Sequence, residues 1–278
     1  MNNPEEYVKC NGMQTKDAKE MLADYENYFK WTEGERVMDV GCGPGDVTLK
    51  ILCPFLPKDC TVVAVDVSED MISYARLFIA KDKERVTFRA LDIAHEDQLV
   101  KFDYWKQQKK SFNKVFSFYC LQWIQNHRQA MINIYSLLKP SGEILLMFPT
   151  PDNPVYRAVE NLRKTEKWGE FYEEEEAWFY KADDPPTYFQ EILKNVGFED
   201  IKCYLKQCSY EFSSWESLTQ FLKSVNPYIS YIPGDMHTEY LKELADSMLE
   251  NNAVEPVGDT GKYMTKYDLL VALAKKPS

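Results

Sequence analysis

Apolar residues recur along this chain in two alternating patterns: short continuous runs typical of buried strands, and longer stretches with helical spacing. Residues 1–12 are polar and are expected to be irregular, and the first helical pattern begins at Gln14. Five strand-like runs then alternate with helical stretches, and they read RVMDV, CTVVAVDVS, RVTFRALDI, FNKVFSFYCLQWI and EILLMFPT. This alternation predicts a doubly wound α/β fold around a mostly parallel sheet, with ligands bound at the carboxyl ends of the strands.

The alternation stops after the fifth of these runs. Two later runs, DIKCYLKQCSYEF and YDLLVALAKK, predict two more strands that pair at the edge of the sheet. Two insertions, residues 151–182 and 213–262, contain aromatic and helical stretches and are expected to cap the sheet. Since no repeat or low-complexity linker is evident, the pattern predicts one domain over residues 1–278.

Charge and composition exclude several classes of function. The 278 residues carry a net charge of −11 without a basic stripe to neutralise phosphates, so no nucleic-acid partner is expected. No apolar run approaches the roughly 20 residues of a transmembrane helix, so membrane insertion is not expected. The seven cysteines form no CxxC pair, and the N-terminus is polar rather than apolar like a signal peptide. Both observations indicate a reducing, cytoplasmic compartment. The sequence leaves a homodimer open.

No metal site is expected either. His95, His127 and His237 are too scattered to form a zinc site, and the acidic run EEEEAW at 173–178 is typical of a solvated surface. The 14% aromatic content is concentrated in the second half of the chain. Those rings either form core or line a pocket for a large apolar ligand.

The loop after the first strand carries Gly41, Gly43 and Gly45, and its ligand could be a dinucleotide, a phosphate or a group without phosphate. The spacing is shorter than in the usual dinucleotide motif, and Asp39 would repel a diphosphate. A ligand with an ammonium group would instead be attracted to Asp39. Bracing of the loop is the alternative role of Asp39, and an NAD-dependent enzyme stays open only if Asp39 is turned away.

Two further acids end the next two strands. Asp66 is placed where a carboxylate accepts both hydroxyls of a ribose, and Asp92, within LDI, is placed to accept from an adenine amine. Alone, Asp66 could cap a helix and Asp92 could belong to a surface turn. Together with Asp39 they put an acid at the end of three successive strands, which favours a nucleoside ligand.

These motifs resemble the class I S-adenosylmethionine-dependent methyltransferases. The segments VMDVGCGPGD, VVAVDVSEDMI and RALDI match the cofactor motifs of that family in order and spacing, over residues 36–150. The resemblance implies S-adenosylmethionine as cofactor and a Rossmann-like, seven-stranded sheet with an antiparallel hairpin at one edge. The cofactor residues that it implies are Asp39, Gly41, Cys42, Gly43, Gly45, Asp66, Val67, Met71, Asp92, Ile93 and Ser117.

The segment SFYCLQWIQNH, at the end of the fourth strand, should face the transferred methyl group. His127 is the local candidate for a base, although it also suits the start of the next helix. Gln122 and Trp123 instead offer two neutral donors, which suit an anionic oxygen, with core packing as the alternative role of Trp123. A carboxylate has a pKa near ~4 and needs no base before methylation.

A closer resemblance, to the insect juvenile hormone acid O-methyltransferases, covers nearly the whole chain. It rests on MNNPEEYVKCNGMQTKDA, FSFYCLQWI, TEKW and VNP. It implies methylation of the carboxylate of farnesoic acid or juvenile hormone acid, with Gln14 and Trp123 at that carboxylate and Tyr7 near the cofactor. Many members have His-Trp where this chain has Gln122-Trp123, and this departure leaves the role of residue 122 and the substrate preference open.

A sesquiterpenoid tail needs a long apolar pocket, and the resemblance gives the aromatic residues that purpose. Residues 1–30 and 151–182 should then close over the substrate and move when it is absent. The residues expected at the acceptor are Gln14, Tyr119, Gln122, Trp123, Phe148, Tyr156, Trp168, Trp178 and Tyr228, with Phe179 as a further candidate. The alternatives are a methyltransferase for another small or fatty acid and a non-catalytic binder that keeps the fold.

Overall fold

One mixed β-sheet runs through the protein in the computed structural model, which describes residues 3–79, 85–101, 103–107, 110–172 and 180–278. Its strand order is β3-β2-β1-β4-β5-β8-β6, and the short β7 pairs with β8. The strands are β1 Arg36–Val40, β2 Thr61–Asp66, β3 Val86–Ala90, β4 Phe112–Phe118, β5 Leu138–Pro149, β6 Glu199–Phe212, β7 Val254–Pro256 and β8 Tyr263–Lys275.

The sheet confirms the predicted fold class. Strands β1 to β5 pair in parallel, whereas β8 pairs antiparallel with both β5 and β6. Strand β8 lies between two neighbours and is buried along most of its length, while the edge strand β6 alternates between exposed and covered side chains. The seven strands of the main path are those predicted, and β7 adds three residues at the edge.

Helices cover both faces of the sheet. They are α1 Pro4–Cys10, α2 Gly12–Asp24, α3 Cys53–Phe55, α4 Glu69–Tyr74, α5 Gln98–Lys101, α6 Asp103–Gln107, α7 His127–Leu137, α8 Pro154–Arg163, α9 Glu166–Gly169, α10 Pro185–Val196, α11 Trp215–Val225 and α12 His237–Glu250. Wider π-helical turns, Thr48–Leu52 and Ala75–Ile79, precede α3 and follow α4. Among the helices described here, none combines the length and apolar character that a bilayer crossing requires.

The expectation that residues 1–12 are irregular is wrong, because α1 forms there. Asn3 caps this helix by accepting from the N–H groups of Glu5 and Glu6, and Pro4 occupies its first position. No side chain of α1 is buried, so an apolar pattern could not reveal it. Its start was visible only in the capping chemistry of Asn3-Pro4.

The fourth strand also ends earlier than predicted, at Phe118. Tyr119 has a left-handed backbone with φ of +56°, and this turns the chain out of the sheet. A 3₁₀ turn, Leu121–Trp123, follows. The next strand begins at Leu138, so Pro140 and Gly142 lie inside β5 rather than ending the helix before it.

The two insertions carry helices that pack over one face of the sheet. Buried residues of α8, α11 and α12 join the same apolar cluster as α2 and one face of β1 and β4. A polar network crosses that layer, in which Tyr172 and Tyr240 share a hydrogen bond of 2.7 Å and Asn226 Nδ2 donates to Tyr240 over 2.8 Å. These contacts hold the helices of the two insertions in one layer with α2 over that face of the sheet.

Candidate active site

A cavity of about 460 Å³ opens at the carboxyl ends of the parallel strands, and we call it the donor cleft. The last residues of β1 and β2 line it, as do Leu91 and Asp92 directly after β3, which is where a doubly wound sheet binds its ligand. Most of the predicted cofactor residues meet here. Those that line the donor cleft are Tyr7, Gly41, Gly43, Asp66, Val67, Met71, Asp92 and Ile93.

The glycine loop, residues 41–45, owes its shape to left-handed backbone and close packing. Gly41 has φ of +76°, and a Cβ on it would lie 2.2 Å from the Cβ of Cys120. Gly43 has φ of +53° and donates its N–H to Asp66 Oδ2 over 2.9 Å. The loop therefore lies directly against the segment that follows β4, and only glycine fits at residue 41.

Backbone donors fix the acids at the ends of β2 and β3. The second oxygen of Asp66 accepts from the N–H of Ser68 over 2.9 Å, and Asp92 Oδ1 accepts from the N–H of Ala94 over 2.9 Å. Burial raises the pKa of Asp66 above its usual range, an effect that these donors partly oppose. Both carboxylates thus have set orientations on the wall of the cleft.

Asp39 lies deeper, on a small adjoining cavity of about 30 Å³ that Tyr7, Gln14 and Cys42 also line. Its Oδ2 accepts from Thr48 Oγ1 over 2.6 Å, and only 3% of the residue is exposed. Burial, with a smaller contribution from Asp66, raises the pKa of Asp39 to about 7. A buried carboxylate of this kind gains most when a cation binds beside it.

Two predicted cofactor residues, Gly45 and Ser117, line neither of these cavities. Gly45 has φ of +83° and packs against the ring of Phe88, so its role is to form the turn. Ser117 Oγ donates to the carbonyl oxygen of Val40 over 2.8 Å and is 1% exposed. The expectation of direct contact is not met for either residue, because one lies in the packing of the turn and the other braces β4 against β1.

A second, narrower cavity of about 40 Å³ adjoins the donor cleft, and we call it the acceptor cavity. Five predicted acceptor residues line it: Gln14, Tyr119, Gln122, Trp123 and Tyr156. Tyr7, Tyr119 and Trp123 line the donor cleft as well. A group that passes between the two cavities must therefore pass these three side chains.

Gln14 and Gln122 bring buried amide groups to the acceptor cavity. Gln14 is 5% exposed, and its Oε1 has no hydrogen-bond partner among the described residues. Such a buried polar atom costs about 1–3 kcal/mol unless a donor reaches it, whereas an anionic ligand in this cavity would be met by the Nε2 of the same carboxamide. Gln122 Oε1 likewise has no hydrogen-bond partner among the described residues, while its Nε2 donates to the carbonyl oxygen of Tyr119 over 2.8 Å.

Three of the predicted acceptor aromatics lie in the core instead. Phe148 faces the other side of β5 and packs against His127 and Phe189. Trp168 is fully buried against Tyr240, and its Nε1 donates to Glu243 over 2.6 Å.

Tyr228 packs against Tyr172, with ring centroids 4.6 Å apart, and does not line the acceptor cavity. In this structure Phe148, Trp168 and Tyr228 therefore lie in core packing. Trp178 and Phe179 lie outside the described residues.

His127 is the start of α7 and is fully buried. Its Nε2 bonds with the carbonyl oxygen of Leu121 at 2.8 Å, which holds the turn that carries Gln122 and Trp123. Burial lowers the pKa of His127 to about 4, so the ring is neutral at physiological pH. His127 lines neither cavity, and the helix-start interpretation is correct.

The rest of the acceptor wall is not marked by any sequence pattern. Tyr267 on β8 lines it, and Asp17 on α2 lies behind it. The only local signal for Asp17 was its position three residues after Gln14, on the same helical face. The apolar lining that no pattern singled out consists of Met13, Pro149, Pro154, Val155, Phe212, Phe221, Val225 and Met248.

The methyltransferase domain family matches residues 32–252 of this chain. The chain is 32% identical to the juvenile hormone acid O-methyltransferase of Bombyx mori, over 99% of this chain and 98% of that protein. It is 30% identical to the Drosophila melanogaster protein of the same name, over 99% of this chain and 93% of that one. The chain belongs to the juvenile hormone acid O-methyltransferase family.

The solved structure of the YcgJ protein from Bacillus subtilis is similar in fold alone. Its TM-score is 0.60 at 15% identity, with 93% of this chain and 99% of that chain covered.

Among the residues that the structure describes, no cluster of three or more His, Cys, Asp or Glu side chains is suited to a metal ion.

As a methyltransferase of this family, the chain uses S-adenosylmethionine, and its residues fit that cofactor. The donor cleft offers oriented carboxylates from Asp66 and Asp92 at the strand ends, and Met71 lines the same cleft. Beyond the glycine loop, the carboxylate of Asp39 suits an ammonium group. Asp39, close to the glycine loop, would repel the diphosphate of a dinucleotide.

Prediction on cofactor binding. We expect the affinity for S-adenosylmethionine to fall about tenfold for each pH unit below about pH 7, because a protonated Asp39 no longer attracts the ammonium group. Titration calorimetry between about pH 5.5 and pH 7.5 measures this, below the range in which an α-amino group itself loses its proton. Asp39→Asn should bind weakly with a flat pH profile, and Asp59→Asn serves as the control. A profile that stays steep in Asp39→Asn would contradict the assignment.

Proposed function

We propose that this chain transfers a methyl group from S-adenosylmethionine to the carboxylate of a farnesoid acid, either farnesoic acid or juvenile hormone acid. The observation that carries the proposal is the character of the acceptor cavity. Within the described residues, its lining includes no His, Asp, Glu, Lys or Arg side chain. The names of the Bombyx and Drosophila relatives support the same substrate class.

The absence of a charged group from this lining bears on the chemistry. An alcohol or amine acceptor must lose a proton during transfer, whereas a carboxylate is already ionised at neutral pH. The tyrosines of the lining stay protonated and so offer no base, because burial raises the pKa of Tyr7, Tyr119, Tyr156 and Tyr267 further above an already high value. A lining without a base therefore favours an acceptor that needs none.

The chain's own residues would hold and desolvate the acceptor. When bound, S-adenosylmethionine supplies an electrophilic methyl group on a positively charged sulfur. The carboxamide of Gln14 and the indole N–H of Trp123 would donate to the acceptor carboxylate at the boundary with the donor cleft. The apolar wall excludes water, and this favours a reaction in which a cation and an anion neutralise each other.

The remaining lining suits an apolar tail. Side chains such as Met13, Val155 and Phe221 would bury it at about 25 cal/mol per Å². A cavity of about 40 Å³ holds a small group but not a sesquiterpenoid chain, so the acceptor cavity must widen on binding. We propose that residues 1–30 act as a lid and that the insertions 151–182 and 213–262 form the cap.

Two contacts would have to open for that movement. Asn11 Nδ2 donates to Asp46 Oδ2 over 2.8 Å and ties the start of α2 to the helix after the glycine loop. Lys223 Nζ lies 3.3 Å from Glu6 Oε1 and ties α1 to α11.

We place the reaction in the cytoplasm, because all seven cysteines are free.

Prediction on the acceptor. Incubation with labelled S-adenosylmethionine and a panel of acids should give a methyl ester with farnesoic acid and juvenile hormone acid. Saturated fatty acids in the panel test whether the enzyme prefers the shape of a farnesoid tail. Trans-aconitate, a small polyanion, tests the preference for charge, and it should be a poor acceptor because the cavity is apolar. Mass spectrometry of the ester and steady-state kinetics rank the acids. The proposal is wrong if the wild-type chain esterifies none of the farnesoid acids.

Prediction on the carboxylate donors. Gln14→Ala and Trp123→Phe should each lower kcat/KM for the acid by roughly 10- to 100-fold, since each removes one hydrogen bond to a charged group. Trp123→Phe keeps an aromatic ring and so separates the N–H from packing. Affinity for S-adenosylhomocysteine should change little in either variant. Gln220→Ala, on the exposed side of α11, is the matched control, and wild-type kinetics in Gln14→Ala would contradict the role of Gln14.

A further inference from the structure

A buried carboxylate lies directly behind the acceptor cavity without lining it. Asp17 Oδ2 accepts from the hydroxyl of Tyr119 over 2.5 Å and from the hydroxyl of Tyr267 over 2.7 Å. Asp17 is 2% exposed, and Lys16 Nζ lies 3.5 Å from its other oxygen. Residues from α2, the end of β4 and β8 thus converge on one carboxylate.

The two tyrosines that Asp17 holds are walls of the site. Both line the acceptor cavity, and Tyr119 also lines the donor cleft. The ring of Tyr119 therefore lies at the boundary that the methyl group must cross. A shift of this ring would change where an acceptor oxygen can be placed relative to the donor.

Tyr119 needs such an anchor because its backbone is strained. A left-handed backbone costs a side-chain-bearing residue about 1–2 kcal/mol, and surrounding contacts must maintain it. Its N–H donates to the carbonyl oxygen of Met147 over 2.8 Å, and its own carbonyl oxygen accepts from Gln122 Nε2. The bond to Asp17 fixes the far end of the same residue.

The bonds to Asp17 leave Tyr119 and Tyr267 without a hydroxyl hydrogen to donate to a substrate. A phenol has one O–H, and both hydroxyls donate theirs to Asp17. Neither tyrosine then has a proton left for an acceptor carboxylate, so their contribution is the placement of their rings. Asp17 also lies one turn after Gln14 on α2, so the same bonds fix the helix that carries the Gln14 carboxamide.

We propose that Asp17 is a positioning residue, which sets the Tyr119 and Tyr267 rings and the Gln14 face of α2 so that the acceptor carboxylate is oriented for transfer. The inference rests on the proposed carboxylate methylation. It assigns Asp17 no contact with substrate or cofactor. Loss of its hydrogen bonds should therefore lower turnover more than it weakens cofactor binding.

Asp17→Ala should lower kcat for farnesoic acid by roughly 10- to 100-fold, with the dissociation constant of S-adenosylhomocysteine within about twofold of wild type. Asp17→Asn keeps an accepting oxygen and should retain kcat within about threefold of wild type. The double variant Tyr119→Phe/Tyr267→Phe keeps both rings and should lose as much as Asp17→Ala. Adding Asp17→Ala to it should cause no further loss, because the three groups act as one unit.

Asp24→Ala is the matched control, since Asp24 lies on the same helix but pairs with Lys206 at the surface. Wild-type kcat in folded Asp17→Ala, or an Asp17→Asn variant as impaired as Asp17→Ala, would overturn the positioning role. If Asp17→Ala does not fold, the Asp17→Asn and tyrosine variants decide the question by the same criteria. Ester formation by the wild type is measured first, so that its absence overturns the proposed function itself rather than Asp17 alone.

Discussion

The close approach of Gly41 to Cys120 brings the two halves of the site together. A Cβ on Gly41 would lie 2.2 Å from the Cβ of Cys120, so any other residue would push the glycine loop away from the segment after β4. The loop forms one wall of the donor cleft, and residues 119–123 form the boundary between that cleft and the acceptor cavity. Because the two segments touch, the donor and acceptor sites share Tyr119 and Trp123, and Tyr7 of α1 lines both cavities as well.

The two cavities have opposite electrostatic character. Acids line the donor side, where Asp39, Asp66 and Asp92 end three parallel strands. The described lining of the acceptor cavity contains only neutral side chains, and the buried carboxylate behind it, Asp17, accepts from two tyrosine hydroxyls. A cationic donor and an anionic acceptor can thus each bind in a suitable environment and meet at one boundary.

The fold and the donor cleft could be predicted because their determinants are local in sequence. Apolar runs marked the strands, and an acid or glycine at each strand end marked the cleft. The acceptor wall could not be predicted in the same way. An aromatic residue such as Phe148 gives no sign of which face of its strand it occupies, and Asp17 and Tyr267 are brought together only by the folded chain. Helix α1 was missed because it buries no side chain.

The most direct test of this account is a crystal structure with S-adenosylhomocysteine and farnesoic acid bound together. We expect the nucleoside in the donor cleft, with its ribose on Asp66, and the acid carboxylate on Gln14 and Trp123 beside the Tyr119 ring. The acceptor cavity should be wider than about 40 Å³ in that complex. A carboxylate bound away from both Gln14 and Trp123, or an acid that lies outside the acceptor cavity, would contradict it.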